Sequence, residues 1–124
     1  MEFERDKRFV SGRLRSLVFA WRGAVKLVTT EHSVMVQSVI ALIMVVAGFV
    51  FDISRTEWMM QILATGLVIG IESLNTAIEK IADFVHPGFH EKIGFIKDIS
   101  AGAVFLAALA AIAVGLLIYV PKFI

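Results

Sequence analysis

Three stretches without a single charged residue, 34–51, 58–71 and 99–120, dictate what this chain can fold into. The third alone runs to twenty-two residues, within the roughly 17–25 that a helix needs to cross the hydrocarbon core of a bilayer. Inside that core no water is available to the backbone, and a helix satisfies its N–H and C=O groups internally. Composition agrees. Hydrophobic residues make up 58% of the chain and the mean hydropathy is +0.83, against about 45–50% apolar in soluble domains. A soluble core in a chain of 124 residues could not absorb that much apolar surface. The expected fold is therefore all-α and integral to a membrane, with residues 1–124 forming one domain.

In chain order, residues from about 5 to 30 read as an amphipathic surface helix. Leu14, Leu17, Val18, Trp21, Val25 and Val28 recur at helical intervals, while Arg8, Arg15, Arg22 and Lys26 follow the same period on another side. Such a helix lies in the plane of a membrane surface, with its basic side chains toward headgroups or water; packing on a partner protein is the bland alternative. Spans are expected at about 32–51, 57–85 and 97–120. Residues 52–57 form a tight polar turn, with Ser54 or Thr56 as helix cap. His86-Pro87-Gly88 ends the second helix, and a loop is expected over 86–96. Lys97 and Asp98 then open a third span rich in Ala, Gly and Ser, which let helices approach closely in lipid. The opening thirty residues have no compact apolar region followed by a small-residue cleavage site, so no signal peptide is expected. Without cysteine, disulfides and thiolate chemistry are excluded.

Orientation follows from the cations. Arg5, Lys7, Arg8, Arg13, Arg15, Arg22, Lys26, Lys80, Lys92 and Lys97 fall on one side of the spans, and only Arg55 and Lys122 on the other. The excess marks the cytoplasmic side, which places the N-terminus and the 86–96 loop there.

The same side carries the residues that bear chemistry. At about 100° per residue, Glu72, Asn75, Glu79 and Asp83 lie within roughly 80° of one another on the second helix. Three carboxylates and an amide thus emerge as a stripe from an apolar run. A carboxylate at membrane depth costs roughly 2.5–3.5 kcal/mol on insertion scales and marks a functional site by default. Glu31, just before the first span, joins this set. Two carboxylates meeting at an interface repel one another unless a cation lies between them, and Mg²⁺ favours a few oxygen ligands together with substrate phosphates. Lys97 is a compact charge suited to phosphate oxygens, Glu72 a candidate general base for a hydroxyl, and Asn75 a group to orient either. These are the parts phosphoryl transfer requires.

Each part also has a structural reading. Glu31 could solvate a helix end, Glu79, Lys80 and Asp83 could form a wet helix terminus, and Asp98 could cap the third helix. His86 and His90 flank Pro87-Gly88, which argues against a metal-binding pair and for a mobile loop near a ligand. Neither a Walker loop nor G-x-G-x-x-G occurs, so any nucleotide site differs from those of common soluble kinases.

The residues 72–79 with Asp83 closely resemble the E-x-x-N-[ST]-A-I-E-x-x-x-D motif of the small prokaryotic integral-membrane diacylglycerol kinases. Lys97-Asp98 with Ala101, Gly102, Ala103 and Val104 looks like that family's K-D-x-x-[AS]-[AG]-A-V element, and Trp21-Arg22-Gly23 followed by Glu31 is similar to its surface-helix element. The resemblance implies a homotrimer of three-span protomers with active sites shared between subunits. It implies transfer of the γ-phosphate of MgATP to a lipid hydroxyl. By match, Glu72 is the general base, Glu31 and Glu79 hold the Mg²⁺, and Asn75 and Asp83 support the site. Lys97, Asp98 and the Gly88-Phe89-His90 stretch contact ATP. The family's arginine expected near Gly12 is displaced, with Arg13 or Arg15 as stand-in.

Two acceptor branches exist in that family, diacylglycerol and undecaprenol. Gly48-Phe49, residues 52–58 and residues 101–104 lean toward the undecaprenol branch, while the catalytic set does not separate the two. Nucleic acid is not an expected partner. The rival readings are a proton or ion pathway and an accessory membrane subunit. A relay would need acids or histidines continuing through the bilayer, and 58–71 offers only Gln61 and Thr65.

Overall fold

The computed structural model describes residues 2–124, with side chains from residue 5 onward. Four helices follow in order: α1 (Glu2–Thr30), α2 (His32–Val50), α3 (Arg55–Val85) and α4 (Glu91–Tyr119), closed by a 3₁₀ turn at Val120–Lys122. Among the described residues there is no strand. The helices α2, α3 and α4 are each long and apolar enough to cross a membrane.

The break between α1 and α2 is a single residue. Glu31 takes an extended conformation (φ −99°, ψ 115°) and serves as N-cap of α2 without a side-chain capping bond. The preceding run of β-branched Val28, Thr29 and Thr30 weakens the helix there. Both hydroxyls bond back one turn, Thr29 to the Val25 carbonyl and Thr30 to that of Lys26. From residue 5 to 30 every side chain of α1 is exposed except Gly23 and Leu27, which are half-buried. Its apolar side chains therefore lie open, with Trp21 at 72% exposure. Arg13 stacks over Phe9 and Arg22 over Phe19 at 5.3 and 5.9 Å from the ring centroids, so cationic heads sit beside apolar side chains.

The turn between α2 and α3 is fully specified. The Ile53 N–H bonds the Gly48 carbonyl and the Asp52 N–H that of Phe49, which is the Schellman arrangement. Asp52 supplies the left-handed residue (φ 49°), tolerated because its short polar side chain accepts that region. Ser54 and Glu57 then start α3 with a reciprocal capping box. Gly48 has a packing reason to be glycine: a Cβ there would lie 2.5 Å from Cη2 of Trp58.

The helices α3 and α4 run antiparallel and form the main packing seam. Buried Gln61, Val68 and Ala82 on α3, and Ser100 and Ala107 on α4, recur at multiples of seven residues. That is the period of a helix–helix seam, and its small members allow close approach in lipid. Outward-facing Leu63, Leu106 and Leu117 are two-thirds or more exposed. A water-soluble monomer does not leave apolar surface of this extent uncovered.

The structure moves one boundary. α4 begins at Glu91, so residues 91–96 are helical and the connection shrinks to 86–90. His90 is the N-cap, its Nδ1 accepting from the Lys92 N–H at 3.1 Å. Lys97 and Asp98 consequently lie inside α4, and Asp98 is not its cap.

Candidate functional site

The start of α2, the end of α3 and the start of α4 meet at one end of the bundle. Two ion pairs record the meeting. Lys80 Nζ on α3 reaches Glu31 Oε1 at 3.2 Å, and Lys97 Nζ on α4 donates to Asp83 Oδ1 on α3 at 2.6 Å. The sequence placed Glu31, Asp83 and Lys97 at one membrane face, and the fold brings them into one region.

The stripe on α3 changes character along its length. Glu72 and Asn75 are half-buried, whereas Glu79 and Asp83 are exposed. At 1.5 Å per residue, Glu72 lies about 10 Å deeper along the helix than Glu79. Helix geometry puts these side chains on one face, and neighbouring residues tie the backbone down. Ser73 Oγ donates to the Ile69 carbonyl and Thr76 Oγ1 to that of Glu72. Among the described residues the Glu72 carboxylate enters no ion pair. Asn75 Nδ2 donates to Glu79 Oε1 at 3.4 Å. Its Oδ1 is buried without a hydrogen-bond partner, an acceptor held dry beside the carboxylates. A buried orphan of this kind costs about 1–3 kcal/mol and calls for a donor or a cation.

The remaining candidates stand farther apart. Gly88, Phe89 and His90 are exposed, Phe89 at 91%. His86 and His90 rings meet edge to face at 5.2 Å, His86 Nδ1 lies 2.8 Å from the Gly88 carbonyl, and His90 is occupied as a cap. Asp98 is exposed on α4. No three His, Cys, Asp or Glu side chains among the described residues are gathered tightly enough to hold a metal by themselves. The site is an open, carboxylate-rich end with one lysine from α3 and one from α4.

A second polar cluster escaped the sequence reading. Buried Gln61 donates through Nε2 to the Met44 carbonyl at 3.0 Å, and Tyr119 Oη donates to Gln61 Oε1 at 2.6 Å. It ties α2, α3 and α4 together at the opposite end, beside a cavity of about 290 Å³ lined by Gln37, Thr65, Ala108 and Gly115 among others. None of the candidate site residues lines that cavity. The available signals were the lone amide in an apolar run and the only tyrosine in the chain.

Comparison with known proteins adds the chemistry. The family model described as prokaryotic diacylglycerol kinase matches residues 18–119. The chain is 35% identical over 108 residues to an undecaprenol kinase of Bacillus subtilis (strain 168), covering 87% of this chain and 88% of that protein. It is 31% identical over 109 residues to a diacylglycerol kinase of Synechocystis sp., of which it spans 62%. It is 27% identical over 99 residues to a diacylglycerol kinase of Escherichia coli (strain K12), covering 81% of it.

Proposed function

This chain belongs to the prokaryotic diacylglycerol kinase family and is a membrane lipid kinase, and we propose that its carboxylate-bearing end is where the phosphoryl group changes hands. The observation that carries the proposal is the graded stripe on α3. Glu72 is half-buried while Glu79 and Asp83 are exposed, a gradient that suits a base at the depth of a lipid hydroxyl and carboxylates where a water-borne nucleotide would arrive. A kinase of this family uses ATP, and its acceptor is drawn from the bilayer.

In this reading Glu72 takes the proton of the lipid hydroxyl as that oxygen bonds the γ-phosphorus of ATP, and the bond to the leaving ADP oxygen breaks. Lys97, steadied by Asp83, faces the phosphates as a point charge. Asp98 and the Gly88-Phe89-His90 turn, close to the start of α4, meet the rest of the nucleotide, and Asn75 orients the carboxylates. Mg²⁺ fits the donor set. Glu31 and Glu79 offer hard oxygens, the orphaned Asn75 Oδ1 lies beside Glu79, and a lysine ammonium already rests on Glu31. Mg²⁺ needs only one or two protein carboxylates when phosphates and water supply the other ligands. Bound there, it would neutralise charge developing on the phosphates.

The bare face of α1 favours a helix lying on the inner face of the cytoplasmic membrane. The uncovered apolar sides of α2–α4 are compatible with a homotrimer of shared sites, one domain per protomer. The lean toward undecaprenol rests on the turn and third-span residues and on the Bacillus relative's name. Phosphorylation of diacylglycerol and of undecaprenol in mixed micelles, with labelled ATP and Mg²⁺, tests the reading. The expected result is labelled lipid with both acceptors and faster labelling of undecaprenol. Faster labelling of diacylglycerol would reverse the branch, and labelling indifferent to loss of Glu72 would remove the site.

A further inference from the structure

Glu31 and Glu79, the two carboxylates assigned to the metal, are not joined to each other in the chain as it stands. Glu79 is held by Asn75 within α3, while Glu31 is drawn to the neighbouring Lys80. Successive helical residues point about 100° apart, so Lys80 pulls Glu31 toward a different side of α3 from the one Glu79 occupies. Glu31 is free to be drawn there because its side chain makes no capping bond to α2. The contact is lopsided: the Glu31 side chain is 25% exposed, whereas that of Lys80 is 66% exposed. An ammonium that wet is easily displaced, since exposed ion pairs contribute little.

Building on the metal assignment above, we propose that Lys80 is a resident counter-ion for Glu31 that competes with the divalent cation. In the nucleotide-free protein it neutralises a half-buried carboxylate and parks it away from Glu79. On loading, the cation takes over the Glu31 oxygen and the ammonium swings to solvent. Lys80 is thus a positioning residue: it acts on the metal through Glu31 and makes apparent metal affinity weaker than the carboxylates alone would give. It also spares Glu31 an unpaired charge before the cation arrives.

Binding of Mn²⁺ alone, followed by electron paramagnetic resonance on detergent-solubilised protein, tests this without turnover. Lys80→Met should bind Mn²⁺ about two- to five-fold tighter than the parent, on the scale of an exposed ion pair. Lys80→Arg, which keeps the cation on Glu31, should show no tightening, and Lys80→Gln should follow the methionine variant. The two neutral variants should also lower the melting temperature in chelator and regain it with Mn²⁺. Equal or weaker Mn²⁺ binding in both neutral variants, with binding lost in Glu31→Gln, overturns the counter-ion role and leaves the metal assignment intact. Parent-like binding in Glu31→Gln overturns the metal assignment and this inference with it.

Discussion

The two ends of the helical bundle obey different rules. At the turn end, the α2–α3 connection uses a Schellman close, a capping box and an ion pair from Lys122 to Glu57 at 3.3 Å. Aromatic pairs Phe49–Trp58, Phe51–Tyr119 and Phe51–Phe123 lock it at 5.0–5.7 Å between centroids, and Gln61, Tyr119 and Met44 satisfy one another. At the carboxylate end, Asn75 Oδ1 is orphaned, the ion pairs are wet and Phe84 and Phe89 stand 90% and 91% exposed. The first end spends its polar groups on itself, and aromatic side chains suit its place at a membrane interface. The second keeps its polar groups available, which is what a site awaiting ligands requires. On the proposed site, stability and chemistry are thereby separated along the helix axis.

That separation can be broken by mutation, and the largest effect belongs to the open end. Glu72→Gln keeps the shape and removes the proposed base, so lipid phosphorylation should fall about 10²- to 10⁴-fold with the melting temperature within error of the parent. Near-normal turnover would take Glu72 out of the mechanism. At the closed end the signs reverse. Gly48→Val forces a branched side chain against Trp58 and should cost about 1–3 kcal/mol of stability by denaturant titration, while the folded fraction keeps its activity per molecule. Loss of activity at full stability would couple the ends. The smallest change is Tyr119→Phe, which removes one donor to Gln61. About 0.6 kcal/mol is typical of such a bond between membrane helices, and a kinase rate equal to the parent's should accompany it.

How far the sequence alone reaches follows the same division. The spans were legible because an uncharged run of membrane length has few other folds open to it, and Glu72 stood out because nothing apolar explains it. The cap of α3 is local, so the sequence narrowed it to Ser54 or Thr56, and the structure uses Ser54 in a capping box with Glu57. The start of α4 was misplaced because Glu91 and Lys92 make residues 91–96 look like loop, while His90 caps a helix through a ring nitrogen rather than a usual Ser or Asp side chain. Gln61 and Tyr119 are joined across fifty-eight positions, and Lys80 reaches Glu31 on another helix. Pairings of that kind depend on helix rotation and tilt, which periodicity does not set. The depth gradient along α3 could be anticipated from the order of the residues, but the orphaned Asn75 oxygen could not.

Hydrogen exchange read by mass spectrometry, with and without Mg²⁺ and a non-hydrolysable ATP analogue, tests the division most directly. Added nucleotide should slow exchange at 86–98 and around the Thr30–His32 break and leave 48–58 and 115–123 unchanged. Protection centred on the Trp58–Tyr119 end, or spread evenly over both, would contradict the assignment of the carboxylate end as the place where ATP is held.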